Sequence, residues 1–324
     1  TLTATISQGD AEMSKNFHLT LPYDETPRCA SDNDILFFEG FTDKTDLSQV
    51  NGTLTQNGAG GGTLTLSDGK MKMVRSSTST ESGNHDGFYY YFNPDKTGIT
   101  GEAVTIEFDM KRENAGEVYL ITRSSDGKNL ANPSLNQGGG DKIYSWIGNT
   151  NTVLKSNYSD LGTTKVIMEH NFTAKTYSLW VGGEKLADNQ PFRATTGNNL
   201  AYLYVYMQNT YANTCYFDNV KVYHSTPSMK TAVDRDTTAL ETLGFASISS
   251  ESADTVKLPF DYKTKWGSTV LFSDEKGIVS ADGKISTPFT DTEDVLTVTV
   301  KQGEYAKSFL YPVTILGRFY AGDF

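Results

Sequence analysis

The chain has 324 residues, enough for two or three domains, each with a core of its own. A formal net charge of −11 argues against nucleic acid or an anionic lipid surface as partner, since phosphate contacts need clustered Lys and Arg. No apolar run approaches the roughly 20 residues of a membrane helix, so no membrane insertion is expected. Gly, Thr, Ser, Asn and Tyr are plentiful and long Ala/Leu/Glu/Lys periods are nearly absent, which is an all-β composition.

The first segment, 1–23, reads as a β-hairpin: "LTATISQG" alternates, turns at Gln-Gly plus an acidic residue, and resumes alternation. Nearly the same text, "LTVTVKQG", returns at an offset of 294, and Leu2–Leu21 aligns without a gap on Leu296–Ile315. Residues 24–34, with Pro27 and a polar run, read as a linker. From 35 to 224 short strands follow one another between Gly, Asn and Asp turns. They include "ILFFEGF", "TLTLSDGKMKMV", "GFYYYF", "AVTIEFDMKR", "EVYLITRSS", "KIYSWIG", "KVIMEHNF", "TYSLWVGG", "AYLYVYMQN" and "TCYFDNVKVY". Such spacing without a helical period predicts a two-sheet sandwich. A second linker is expected at 225–230. The last segment, 231–324, opens on "TAVDRDTTALETLG", the one helix expected, with Gly244 as its stop. Strands near "TVKLP", "STVLFS", "GIVS" and "GKIS" and the closing hairpin then suit an immunoglobulin-like sandwich. Cys29 and Cys215 leave two readings open, a disulfide or two small buried hydrophobes.

Over Leu240–Ile315 the chain resembles a bacterial immunoglobulin-like domain of the atrophied type. The resemblance rests on Leu258-Pro259, Gly267-Ser268, Ser273, Val279-Ser280, Gly283-Lys284 and Pro288, and departs at Phe272, where Trp is more usual. It implies a spacer unit in a secreted bacterial polysaccharide-degrading protein with further domains, and makes 1–23 the last two strands of a preceding copy. The region Ile35–Tyr223 resembles the concanavalin-like and laminin-G-like jelly rolls through "FFEGF", "TIEFDMK", "HNFTAKTYSLWVGGEKL" and "YFDNVKVY". That resemblance implies a lectin or carbohydrate-binding module. It also implies a structural Ca²⁺ between the first and last strands, with Glu39 and Asp218 at the matching acidic positions. The expected fold class is therefore all-β: a central two-sheet jelly-roll sandwich, a C-terminal Ig-like β-sandwich, and an N-terminal hairpin left from an Ig-like repeat.

Catalytic signatures are weak. Glu107, Asp109 and Glu113 imitate a glucanase motif with faulty spacing, and on a regular strand Glu107 and Glu113 stand roughly 20 Å apart. Glycoside hydrolysis needs its two carboxyl groups within about 5–9.5 Å. His18, His85, His170 and His224 are scattered singly. "GAGGG" at 58–62 reads as a mobile loop, and "QGGGDK" as a turn or a ligand-approaching loop. Sugars offer apolar C–H faces for aromatic rings and hydroxyls for amide, carboxylate or guanidinium partners. Tyr202, Tyr204 and Tyr206 alternate with Leu203, Val205 and Met207, so the aliphatic set faces the other sheet and three phenols face outward. Tyr144 and Trp146 are the expected cross-strand additions, and the ligand is a polysaccharide or oligosaccharide. The alternatives are a surface adhesin or stalk module, and a hydrolase or lyase whose acid and base converge from distant strands.

Overall fold

The computed structural model describes residues 2–8, 11–17, 25–57, 62–75, 86–114, 116–135, 141–159, 161–207, 212–243, 264–286, 288–315 and 317. The chain divides into one unit of Thr26–Thr226 and another of Thr1–Glu25 with Pro227–Phe324. In chain order the strands are β1 (Leu2–Gln8), β2 (Ala11–Phe17), β3 (Arg28–Cys29), β4 (Ile35–Glu39), β5 (Thr53–Asn57), β6 (Thr63–Ser67), β7 (Lys70–Arg75), β8 (Asp86–Tyr91) and β9 (Ala103–Arg112). They continue with β10 (Val118–Arg123), β11 (Pro133–Leu135), β12 (Lys142–Ile147), β13 (Thr150–Ser156), β14 (Thr164–Asn171), β15 (Thr176–Val181), β16 (Glu184–Pro191), β17 (Tyr202–Met207) and β18 (Asn213–Thr226). After α1 (Met229–Leu243) come β19 (Thr269–Asp274), β20 (Thr292–Gln302) and β21 (Tyr305–Ile315). The fold class is all-β.

The larger unit is a sandwich of two antiparallel sheets. Among the described residues one has seven strands in the order β13-β12-β11-β10-β17-β8-β5. The other has nine, β16-β15-β14-β9-β18-β7-β6 with β3 and β4 also paired to β18. Alternation decides what lies between them. Val104, Ile106, Phe108 and Met110 of β9 share one buried core with Leu203, Val205 and Met207 of β17 and with Val118 and Leu120 of β10. Each such side chain contributes about 1.5–3 kcal/mol by leaving water.

Strand β18 organises the nine-stranded sheet. One of its edges pairs with β9; the other pairs successively with β7, β4 and β3. The change of partner falls at a register shift between Asp218 and Lys221, where Asn219 adopts φ 51°. Asn tolerates that left-handed conformation better than most residues, and its side-chain amide donates to Asp109 Oδ2 at 2.8 Å. The boundaries expected for the linkers shift accordingly. Arg28–Cys29 joins the sheet, and β18 runs to Thr226 with α1 beginning at Met229, so 24–34 and 225–230 are partly regular structure. The physical reason is that the unpaired edge of β18 offers backbone partners to a segment whose Pro and Asp content alone suggests a coil.

One polar strut crosses the apolar core. His170 on β14 is fully buried; its Nδ1 donates to the Val104 carbonyl at 3.2 Å, and Nε2 accepts from Thr122 Oγ1 of the facing sheet at 2.7 Å. Thr122 Oγ1 in turn accepts from the Ala131 amide at 3.0 Å. Burial pulls the imidazole down from 6.5 to about 4. Its unfolded value stays near 6.5, so between these values the unfolded chain holds the extra proton. The stabilisation is complete above about pH 6.5 and lost as pH falls towards 4, by about 3 kcal/mol. Urea unfolding as a function of pH for the wild type and His170→Gln should give a difference curve with that slope.

Both cysteines are free. Cys29 lies opposite Ser225 on β18, whereas Cys215 lies ten residues earlier on the same strand. At ~3.3 Å per residue the two are about 30 Å apart, far beyond disulfide reach. Cys215 is fully buried against Met207 and its thiol is pushed up to about 12 by burial. Under native, unreduced conditions a maleimide should label Cys29 and spare Cys215. Labelling of both should require denaturant.

In the smaller unit β1 pairs with β2, and β19-β20-β21 form a three-stranded sheet. The repeat seen in the sequence persists as register. Pairs from Leu2↔Phe17 to Gln8↔Ala11 match pairs from Leu296↔Tyr311 to Gln302↔Tyr305 at the same offset. Leu296, Val298, Phe272, Val313 and Ile315 form a core, and Val233 and Leu240 of α1 pack on Val300. The segments expected as "GIVS" and "GKIS" strands meet in a single bridge, Val279↔Ile285. "TVKLP" and Gly244 lie outside the described residues, as do 58–61 of the Gly-rich loop, the Gln-Gly run before Asp141, His18 and His85.

Candidate functional site

The outward face of the seven-stranded sheet carries a second, smaller apolar cluster. Tyr202, Tyr204, Tyr119 and Ile121 are buried there, with Tyr89, Tyr91 and Tyr206 packed on them. Cross-strand pairing sets the arrangement: Tyr206 lies opposite Tyr119 and Gly87, Tyr204 opposite Ile121 and Tyr89, and Tyr202 opposite Arg123 and Tyr91. Direct opposition on one face brings ring onto ring. Tyr119 stacks on Tyr206 with centroids 4.4 Å apart, Tyr89 on Tyr204 at 4.5 Å, and Tyr91 leans on Tyr202 at 4.5 Å.

The expected tyrosine platform is corrected by this stacking. The three rings of β17 do project away from the main core, but Tyr202 and Tyr204 are only 5% and 6% exposed. Their faces meet other rings, because three neighbouring strands carry tyrosines at matching positions. The ladder is a floor rather than an open surface. Tyr204 also receives a hydrogen bond from Asn57 Nδ2 at 3.1 Å, and burial beside Tyr89 pushes its phenol up to about 12. Burial, followed by Tyr204 and Glu117, drives Tyr206 in the same direction.

A recess of about 380 Å³ opens above this floor, within the roughly 300–1,000 Å³ usual for small-molecule sites. Tyr119, Ile121, Tyr204 and Tyr206 form its base; Trp146, Arg123, Arg193, Asn129 and Asn132 form its walls. The walls come from β10, β12 and two connections. Arg123 Nε donates to Asn129 Oδ1 at 2.6 Å across a tight turn, and its guanidinium lies 4.8 Å above the Tyr204 ring. Backbone bonds from Arg193 to Leu130 and from Ala194 to Asn129 hold the β16–β17 connection alongside. That places the Arg193 guanidinium 4.4 Å over Trp146. Asn132 is 2% exposed, and its Oδ1 has no hydrogen-bond partner.

Of the residues singled out from sequence, Tyr204, Tyr206 and Trp146 converge on this recess. Tyr202 lies in the same ladder without lining it. Tyr144 is two residues along β12 from Trp146, opposite Ser134, and does not line it either. Sequence reasoning missed the two arginines, both asparagines and Tyr119. Tyr119, Ile121 and Arg123 alternate within "EVYLITRSS", a signal that was there to be read; Arg193 sits in a connection where no periodicity points to it.

The implied calcium pair fits poorly. Glu39 lies directly opposite Val220, on the core side of its sheet, and its two carboxylate oxygens accept from the Phe41 and Asn51 amides at 2.8 and 2.7 Å. Asp218 lies opposite Asp109 on the other side of the sheet and faces Lys70 at 3.4 Å. Asn219 is the extra residue at the register shift, and it turns Asp218 and Val220 to opposite faces although they stand two apart, so Glu39 and Asp218 point to different sides of the sheet. Among the described residues no group of three or more His, Cys, Asp or Glu is placed to hold a metal. Glu107, Asp109 and Glu113 are bound to Lys221 at 2.8 Å, Lys165 at 3.1 Å and Tyr216 at 2.6 Å respectively.

No family model matches the chain, and no curated protein matches it. Among solved structures, a sialidase shares 11% identity over 84% of this chain and 27% of its own, with a TM-score of 0.46. This chain thus spans about a quarter of that sialidase's length. A protein of unknown function with galectin-like fold from Bacillus subtilis shares 9% identity over 59% of this chain and 96% of its own, TM-score 0.41. The Emp47p carbohydrate recognition domain shares 8% over 60% and 99%, TM-score 0.40. Likenesses at these levels assign neither a family nor a ligand.

Gly87 marks the tightest point of the floor. A Cβ there would stand 2.1 Å from the Val205 carbonyl oxygen and 2.7 Å from Tyr206 Cβ. Gly87→Ala should cost roughly 1–3 kcal/mol in urea unfolding, because the obstruction is backbone that cannot rotate away.

Proposed function

We propose that the larger unit is a noncatalytic carbohydrate-binding module of a secreted bacterial polysaccharide-degrading protein, with the Ig-like unit as a spacer between modules. The observation that carries the reading is the lining of the recess. Four aromatic rings stand beside two amides and two guanidiniums, and none of the lining residues is a carboxylate or an imidazole. Such a mixture suits a saccharide, whose C–H groups need apolar contact while its hydroxyls need fixed polar partners. Hydrolysis would call for a pair of carboxyl groups that the recess does not supply. The raised phenols of Tyr204 and Tyr206 stay neutral at physiological pH and serve as hydrogen-bonding groups rather than bases.

Because the tyrosine faces meet one another and Arg193 covers one face of Trp146, the ligand enters a recess and meets ring edges, phenols and amides. One or two sugar residues, or a chain end, fit that geometry better than a long flat ribbon. Sites of this size bind weakly alone and gain from linkage to other modules.

Affinity electrophoresis of the intact chain through gels containing neutral and acidic polysaccharides tests the reading. Retardation on at least one polymer is expected, weakened about tenfold or more by Tyr206→Ala and by Trp146→Ala. Unchanged mobility on every gel would sink it, as would release of reducing ends or unsaturated products by the purified chain.

A further inference from the structure

We propose that the recess selects a saccharide that carries a carboxylate; this rests on the carbohydrate reading above. The chain as a whole bears a formal charge of −11, yet the two charged groups that line the recess are both cationic, Arg123 and Arg193. Among the described residues neither is within ion-pair distance of a carboxylate, although Lys44, Lys70, Lys155, Lys165, Lys185 and Lys221 of the same unit all are. An anion that enters the recess is attracted by both guanidiniums at once.

Their geometry suits a carboxylate in particular. The Asn129 side chain engages Arg123 through Nε, and the Tyr204 ring supports the plane of the group from beneath. Nη1 and Nη2, the end of the fork, remain for the ligand, and a planar fork matches the two oxygens of a carboxylate. Arg193 is held over Trp146 in the same way, by ring contact rather than by an acid. Both side chains are therefore ordered before the ligand arrives, which lowers the entropic cost of binding. Asn132 supplies the complementary feature. Its side-chain amide lies on the recess wall and suits a sugar hydroxyl, which neither guanidinium can serve as acceptor. Cationic forks and an acceptor within one recess describe a sugar with both a carboxylate and free hydroxyls.

The test uses the intact chain in affinity gels holding polygalacturonate, alginate, hyaluronate or polysialate, each run beside its methyl ester, with dextran sulfate and a neutral galactan as further lanes. Binding to one of the carboxylated polymers should be at least roughly 10-fold tighter than to its ester, since one charge-assisted pair supplies that much. Arg123→Gln and Arg193→Gln should each bring the ratio of acid to ester close to one. Arg123→Lys, which keeps the charge and loses the fork, should fall between, and unchanged thermal midpoints establish that the variants are folded. Equal retardation by acid and ester, or retention by galactan alone, would overturn the carboxylate inference and leave the carbohydrate reading standing. Retention strongest on dextran sulfate and lost in both Gln variants would reassign the anion to a sulfate ester. Passage through every lane without retardation would overturn both readings together.

Discussion

Everything in the larger unit depends on the two faces of β17 being buried by different neighbours. Leu203, Val205 and Met207 enter the main core, while Tyr202, Tyr204 and Tyr206 join the outer ladder. Strict alternation at about 3.3 Å per residue makes the two sets inseparable, since sliding the strand by one position would send phenols into the core and aliphatics to the surface. The inner set ties the sheet to its partner. The outer set ties β8, β10 and β17 together, so the floor of the recess is fixed by the packing that holds the sandwich.

Polar groups are distributed on the same principle. Inside, His170 and Thr122 satisfy one another across the sheets, and Arg75 pairs with Asp86 at 2.7 Å with both side chains buried. On the outer side of the nine-stranded sheet, lysines and acids alternate and neutralise each other in pairs such as Lys221–Glu107 and Lys165–Asp109. The recess departs from both patterns, since its cations rest on aromatic rings and its buried amide oxygen has no partner. Groups left this way cost stability, and a ligand that satisfies them recovers it.

Much of the architecture was legible from period and punctuation. The strand texts between 35 and 224, helix α1 and the repeated hairpin each rest on local signals, and local hydrogen bonding and side-chain alternation respond to those signals directly. Short elements escaped. β5, β11 and β13 are too brief or too polar to declare a period, and β3 owes its existence to the free edge of β18. Resemblance alone supplied the acidic positions Glu39 and Asp218, while the bulge at Asn219 decides which way each carboxylate points.

For the site, the sequence alone determined which side chains leave β17 on the outer face and that Trp146 lies on a strand of the same kind. Whether those rings present open faces was decided by tertiary structure, because stacking depends on which residues stand opposite across strands far apart in the chain. Tyr89, Tyr119 and Tyr204 come from segments more than a hundred residues apart at their widest, and only the sheet order brings them together. The guanidiniums follow the same logic: a connection between β16 and β17 carries Arg193 to Trp146, and a turn after β10 sets Arg123 on Asn129. A strand's period fixes the face a residue occupies, and the neighbours it finds there are a property of the assembled sheet.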